Sequence, residues 1–499
     1  MDTSSKWLTL TALVLMTLVL NVDVTAVNLA LAPIAKDLHM SMAEVQWIIN
    51  GCLIAIAMFM TTAGRLGDLI GHERVFFLGA FIFLIGSIAG GLAQSGWSII
   101  VARLIQGVGI AFNFPMIYAI IFRDFPDNQR GLATGIVSTM VGFAMAIGPT
   151  VGGILIDFAS WRWIFFVNVP IVLVSCFLLY FVRQPQTAKQ PISIRLDYIS
   201  VTLLSLGLFI LMLTLNEVHN WQPNSWLFIG SLLSGVALLV CFSVYELHCK
   251  SPLIDIRLFK NWQFLQAVLN RILYNYVFFA VLFVMGLLLQ NILGYSAIKT
   301  GLMMLFMTII FGAISPVAGK WVDKIGLRFP YIIGMVLLLA GSALLAQSLF
   351  VLNDVIIGLA LFLVGAASGI LLPATSVGAI SAVGKEKTGM ASGLFYTTMI
   401  LGSAISVAIS GYLLAVISKT TLLQALSALH LQFSSSQLNY LISTTSGVQP
   451  ISSLTAYFSS TQIAALQPIV VHSFEQAFSW IMGFSAIMAL IGLMLSLIG

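Results

Sequence analysis

The sequence predicts an all-α polytopic membrane protein, two six-helix bundles plus an inserted helix pair, with 14 transmembrane helices. Three observations predict it. Hydrophobic residues make up 60% of the 499 and charged residues only 8%, with a mean hydropathy of +1.05; a soluble chain of this length needs far more polar surface. Segments of about 20 mainly apolar residues, enough to cross the hydrocarbon as a helix, recur almost end to end. Lys and Arg then sort to one side of the topology that those segments define.

The spans are read near 8–32, 46–66, 74–93, 97–121, 129–156, 163–182 and 198–215 in the first part of the chain. They continue near 226–246, 262–290, 299–321, 329–349, 354–377, 388–417 and 475–498. The first is kept as a span although Ala30-Leu31-Ala32 resembles a signal cleavage site. Asn21, Asp23 and Asn28 interrupt its apolar run, which is also too long for a signal. Arg65, Arg74, Arg123, Arg130, Arg257, Lys260, Lys320, Lys324 and Arg328 are among the cations on one side, against Lys36, Arg162, Lys299 and Lys419 on the other. The positive side is expected to be the cytoplasm, with both termini there. An odd number of spans would scramble this asymmetry.

Internal repetition divides the chain. GRLGDLIGHER follows the second span and GKWVDKIGLR the tenth; Arg130-Gly-Leu-Ala-Thr-Gly opens the fifth span and Thr388-Gly-Met-Ala-Ser-Gly the thirteenth. The offsets nearly agree, 255 residues from Gly64 to Gly319 and 258 from Gly131 to Gly389. Two homologous bundles, 1–183 and 261–499, separated by a linker and two inserted helices at 184–260, explain that spacing. A long external stretch, about 418–474, is rich in Ser, Thr and Gln. Leu422, Leu426, Leu429 and Phe433 recur within it at helical spacing, which fits an amphipathic helix on the membrane or bundle surface. A partner-binding role is the alternative.

Several functions are excluded or disfavoured. The formal charge of +5 is loop charge that sets orientation, without the aromatic–basic interleaving that binds nucleic acid. Cys52, Cys176, Cys241 and Cys249 lack metal-ligand or disulfide-like spacing and read as small apolar residues. The six histidines are scattered at loops and span ends, which argues against a metal centre and against an enzyme. No GxxxxGK[ST] phosphate loop occurs, so ATP drive is disfavoured.

The motifs together resemble those of the major facilitator superfamily, specifically its fourteen-span drug:proton antiporters. WRWIFFVNVP at Trp161–Pro170, SPLIDIRLF at Ser251–Phe259 and LQNILGYSAIKTGL at Leu289–Leu302 carry the resemblance beside the repeats above. The resemblance implies a latch at Gly64, Arg65, Gly67, Asp68 and Arg74, with Asp68 facing the N-terminal end of the span that opens at Gly389. His72 and Glu73 dilute the usual basic run. GFAMAIGPTVGGIL resembles the antiporter motif of the fifth span; Gly148, Gly152 and Gly153 permit close helix approach and Pro149 bends the helix.

Buried charge marks the coupling candidates. Asp23 lies mid-way along the first span, in NVDVTAVNLALAP, which is similar to the first-span motif of the same branch. An ionised aspartate at membrane depth is costly, so such a group is suited to alternate between loaded and empty states. Arg103, in RLIQGVGIAF, resembles the family's membrane-embedded arginine tied to proton transfer, with Gln106 on the same face. Either Arg103 and Asp23 couple protons or they form a static ion pair that fixes helix register. Asn21, Thr25 and Asn28 form a second polar face roughly opposite Asp23; one face is expected to line the cavity, the other to meet neighbouring helices. Arg271, near Tyr274, either binds an anionic substrate group or snorkels to the membrane edge. Asn113, Tyr118 and Tyr396 complete the cavity candidates.

The function expected is secondary active export, proton-coupled antiport of a hydrophobic or amphipathic organic solute across a bacterial inner membrane. It needs no cofactor and is driven by the proton gradient. A dedicated exporter of an endogenous metabolite such as a siderophore is the alternative, and a non-transporting membrane receptor is the alternative of a different class. The resemblance implies as partners a small organic substrate, protons and the lipid bilayer, with a periplasmic adaptor and an outer-membrane channel as further candidates. No nucleic-acid partner is expected.

Overall fold

The computed structural model describes residues 3–182, 196–217, 221, 225–249, 251–347, 353–428, 433–447 and 449–498. The first half of the chain forms α1 (Thr3–Asp37), α2 (Met42–Ile70), α3 (His72–Gly91), α4 (Gly96–Asp124) and α5 (Arg130–Phe158). Its sixth crossing is made of α6 (Trp163–Phe166) and α7 (Asn168–Val182), interrupted at Val167. The inserted pair is α8 (Tyr198–Asn216) and α9 (Trp226–His248). The second half contains α10 (Trp262–Leu287), α11 (Ala297–Ile325), α12 (Arg328–Ala346), α13 (Asp354–Ser381), α14 (Thr388–Ala428), α15 (Ser435–Thr445) and α16 (Ser460–Ile498). Among the described residues, 14 helices are long and apolar enough to cross a membrane.

In hydrocarbon a backbone amide has no water to bond, so each crossing closes its hydrogen bonds internally and needs caps only where it emerges. Ser41 caps α2 in a reciprocal box with Glu44, and Ser95 does the same for α4 with Ser98. Ser225, Ser296 and Asn353 cap α9, α11 and α13. The two repeated loops turn on glycines with positive φ, Gly71 at 106° and Gly326 at 79°, a backbone state that side chains other than glycine rarely adopt.

Small residues set the helix spacing. At Gly109 a Cβ would stand 2.7 Å from the Phe83 Cα, so α3 and α4 touch nearly backbone to backbone. The inserted pair leans on the first half, where the Ser205 hydroxyl donates to the Met58 carbonyl at 3.1 Å. Its outer helix α9 leaves Trp226, Leu233, Val240 and Val244 exposed, as a lipid-facing helix should.

The external stretch differs most from its expected form. α14 spans 41 residues and α16 spans 39, about 60 Å each at 1.5 Å per residue, whereas the hydrocarbon is about 30 Å thick. Both therefore continue beyond the bilayer. Leu422 and Leu426 pack there with Leu441, Leu454, Phe458, Leu466 and Val470 in a core of their own, with Phe433 against it. The apolar stripe thus faces the inside of a small extramembrane cap. Leu429 lies outside the described residues.

Gly109→Ala is expected to lower thermal stability in detergent micelles by about 1–3 kcal/mol, because the added methyl overpacks the α3–α4 seam. Gly286→Ala, with open space around its Cβ position, should leave stability unchanged or slightly raise it, since Ala favours helix.

Candidate functional site

Two matched seams join the halves on the face that carries both chain ends. In the first, α2 meets α14: the Asp68 carboxylate accepts from the Gly389 and Met390 amides, both at 2.8 Å. In the second, α11 meets α5: the Asp323 carboxylate accepts from the Gly131 and Leu132 amides at 2.7 and 2.8 Å. Each aspartate fills the amide-rich N-terminus of a helix from the opposite half, where an anion is favoured. A Cβ on Gly64 would fall on the Gly389 carbonyl, and one on Gly319 on the Gly131 carbonyl. Only glycine permits this approach. Higher along the seams, the Thr61 and Thr397 hydroxyls share a 2.7 Å hydrogen bond, and the Thr139 hydroxyl donates to the Gly312 carbonyl at 2.9 Å.

The diluted basic run finds partners of its own. His72 Nε2 lies 3.1 Å from Asp68 Oδ1, while Arg123 donates to Glu73 at 2.6 Å. Among the described residues Arg74 reaches the Ile70 carbonyl alone, at 3.4 Å. Arg65 lines a 330 Å³ pocket beside the first seam with Glu246, Asp255, Arg257 and Lys387. Lys387 donates to Asp255 at 2.6 Å, tying the linker before α10 to the helix that Asp68 caps. Partial burial works to raise the Asp255 pKa, but the hydrogen bond and charge of Lys387 prevail and hold it below the ordinary carboxylate value. Gly67 lies against the Met116 side chain.

The Asp23 face of α1 turns inward within the first half. Asp23 is fully buried and Arg103 is 2% exposed. Arg103 Nη1 donates to Asp23 Oδ2 at 2.5 Å and to Gln106 Oε1 at 2.8 Å, and Nε donates to the Ile48 carbonyl at 3.1 Å. Two amides complete the aspartate: Gln106 Nε2 at 3.0 Å and Asn168 Nδ2 at 2.7 Å, both to Oδ1. The Gln106 amide also donates to Ser87 Oγ at 2.8 Å. The cluster therefore gathers α1, α2, α3, α4 and α7, and Gln106 belongs to it instead of to a cavity wall.

The opposite face of α1 packs largely on α5. Thr25 donates to the Asn21 carbonyl at 2.9 Å and sits where a side chain on Gly148 would clash. Gly152 meets Ala26, with a Cβ position 3.1 Å from the Ala26 Cβ, while Gly153 has only Leu29 nearby, at 4.0 Å. Pro149 and Asn28 are exposed and Asn21 is half-buried. Asn113 donates to the Gly109 carbonyl at 2.9 Å and lies over Gly79, at the α3–α4 contact.

A third cluster spans the two halves. Tyr118 of α4 and Tyr396 of α14 have ring centroids 4.8 Å apart, and Phe114 stacks on Tyr396 at 5.9 Å. Arg271 lies against them at 1% exposure, with its guanidinium carbon 5.0 Å from the Tyr274 and Phe395 ring centres and 5.4 Å from that of Tyr396. It does not snorkel. Sequence reading singled out neither Asn168 nor Ser87, nor Asp323 as the second cap. Asp323 was within reach, because it stands in the repeat of Asp68; Ser87 carried no local signal.

Two matched halves that meet at seams held by helix-capping carboxylates, with ionisable groups sealed between helices, define a two-bundle polytopic membrane protein. The chain belongs to the Major Facilitator Superfamily, which matches residues 13–407. It is 31% identical over 417 residues to the tetracenomycin C resistance and export protein of Streptomyces glaucescens, covering 82% of this chain and 76% of that one. The multidrug resistance protein Stp of Mycobacterium tuberculosis is 30% identical over 421 residues, 84% of this chain and 78% of its own. Among solved structures, the human organic anion transporter MFSD10 aligns with a TM-score of 0.59 at 14% identity, covering 97% of this chain and 99% of its own. The proton:xylose symporter XylE aligns at 0.56 and 15%, covering 98% and 95%. At such identities these structures establish the fold alone. The protein is thus a multi-pass membrane transporter and not an enzyme.

Arg103→Met is expected to lower thermal stability by about 3–5 kcal/mol, since it strands the Asp23 carboxylate, and adding Asp23→Leu should recover most of that loss. Replacing both Asp68 and Asp323 by Asn should weaken the seams by about 1–2 kcal/mol. Alkylation of a cysteine placed at Tyr118, measured from the side of the chain ends, should accelerate accordingly.

Proposed function

We propose that this chain is a proton-coupled exporter of a hydrophobic or amphipathic organic solute, working by alternating access in a bacterial inner membrane with both termini in the cytoplasm. The observation that carries the reading is the Asp23–Arg103 cluster, with its arginine supplied with alternative acceptors. When a proton neutralises Asp23, Arg103 still holds the Gln106 side-chain oxygen and the Ile48 carbonyl. Protonation therefore leaves the guanidinium hydrogen-bonded although without its counter-ion, which makes the loss of the pair less costly than it would be for an ion pair with no other acceptors. The same amides, Gln106 and Asn168, remain to hold the neutral acid.

With the seams shut on the side of the chain ends, the conformation corresponds on this reading to one closed toward the cytoplasm. A proton taken up from outside would be released inside once the seams part, while solute moves the other way. Each charge that crosses 100 mV of membrane potential contributes about 2.3 kcal/mol, enough to drive accumulation against a gradient. The names of the relatives, resistance and export proteins, support outward movement of organic compounds. The clustering of cations on the latch side supports the orientation.

The experiment uses purified protein in sealed liposomes under an imposed acid gradient, with a panel of lipophilic fluorescent dyes. Wild type should move dye uphill until an uncoupler is added, and Asp23→Asn should fall to the leak rate. Full gradient-driven transport by Asp23→Asn would sink the assignment of Asp23 as the proton carrier.

A further inference from the structure

The two buried arginines are treated very differently. Arg103 has a carboxylate at 2.5 Å and two oxygen acceptors besides. Arg271 is buried as deeply, yet its hydrogen-bond partners are the Tyr274 phenol and the Met399 sulfur, the latter at 2.7 Å. Its Nε has no partner, and among the described residues no carboxylate pairs with it. One turn along the same face, Asn275 Nδ2 is also buried and unpartnered. Both unsatisfied groups are donors. Cation–π contacts with Tyr274, Phe395 and Tyr396 lower the cost of the charge, but they accept no hydrogen bond. A buried cation left without an anion costs several kcal/mol.

The position of this cation matters as much as its missing partner. Arg271 comes from α10, Phe395, Tyr396 and Met399 from α14, and Tyr118 and Phe114 from α4 of the other half. The seam that must part during transport therefore runs through the aromatic cluster. When it parts, flat ring faces and two free donors are uncovered together.

We propose that Arg271 is the anion-recognising residue of the substrate site, and that the transported compounds are aromatic carboxylates or similar planar acids. The carboxylate would take a forked pair of hydrogen bonds from the guanidinium, Asn275 would donate a third, and the ring would lie among Tyr118, Tyr274, Phe395 and Tyr396. The inference rests on the export reading and narrows its solute class from amphipathic compounds in general to acidic ones. Substrate anion and proton would then occupy separate halves, which removes direct competition between them.

The test measures binding of three radiolabelled probes of one shape to the purified full-length protein: 2-naphthoate, 2-naphthamide and 2-naphthylmethylammonium. Wild type should bind naphthoate about ten- to a hundredfold tighter than the amide, and the ammonium most weakly. Arg271→Met should bring naphthoate to the level of the amide, and Arg271→Lys should restore part of the preference. Because Arg271 has no counter-ion to strand, Arg271→Met should unfold at no lower temperature than wild type; a purely structural arginine would lose stability instead. Equal affinity for acid and amide in wild type, absence of naphthoate binding, or an acid preference that survives Arg271→Met would overturn the proposal. Gradient-driven movement of 2-naphthoate and of the dye panel in proteoliposomes is scored separately. If neither moves while the acid preference in binding holds, the export reading falls and the anion site stands; transport without an acid preference removes only the anion site.

Discussion

Two aspartates hold the halves together, and almost everything else in the molecule is arranged so that they can. Asp68 and Asp323 each accept two backbone amides from the first turn of a helix in the other half. Those amides have no partner inside their own helix, so the contact satisfies a carboxylate and a helix end at once. It forms only if the backbones come within reach, which explains the glycines at 64, 389, 131 and 319. A contact of this kind is strong enough to define a closed state and weak enough to break, since a helix end returned to water at the membrane surface is solvated again. Deep in hydrocarbon the same bond would have no such alternative. The seams are therefore placed where chain loops emerge, beside the positive-φ turns at Gly71 and Gly326.

The repeat relates the two seams by sequence but their surroundings are unequal. His72 lies on Asp68, and the Lys387–Asp255 bridge connects the adjoining helix to the linker that follows the inserted pair. At the Asp323 seam the matching position before α5, Gln129, accepts instead from Lys6 of α1 at 2.8 Å, a neutral acceptor where the first seam has an ion pair. The inserted helices α8 and α9, resting on α2, thus bear on one seam only. Two bundles of one plan thus carry unequal additions outside that plan.

Much of this was legible in the sequence, and the boundary of legibility has physical causes. Crossings were readable because lipid imposes a length and an apolar composition. The Asp68–Gly389 pairing was readable through the family resemblance, since the repeats mark both segments but not which helix end an aspartate meets. The pairing of Asp23 with Arg103 followed from the cost of single charges in hydrocarbon. Amide and hydroxyl partners were not legible in this way: Asn168 and Ser87 lie 145 and 64 positions from Asp23, and a polar side chain carries no mark of which neighbour it will meet. Gln106, Asn113 and Thr25 share the first half's polar faces, yet each is drawn into a helix contact by a small residue opposite, Ser87, Gly79 and Gly148 respectively. The stretch at 418–474 reads as a surface element because Leu422 and Leu426 have helical spacing whether they pack on lipid or on other residues of the cap.

The distribution of buried charge separates two tasks. In the first half, Asp23 and Arg103 neutralise one another among neutral amides, and every hydrogen-bonding group named in that cluster except the Asn168 oxygen has a partner. That arrangement is internally satisfied as it stands, and on the export reading the arrival of a proton is what changes it. In the second half, Arg271 Nε and Asn275 Nδ2 are donors that find no acceptor among the described residues. Burial of such groups is tolerated where a structure over-determines it, and here the aromatic cluster that closes between α4, α10 and α14 does so. On the export reading the first half senses the proton and the second waits for solute. Communication between them then needs no wire of contacts, because both act on the same equilibrium: whether the two capped seams are open or shut.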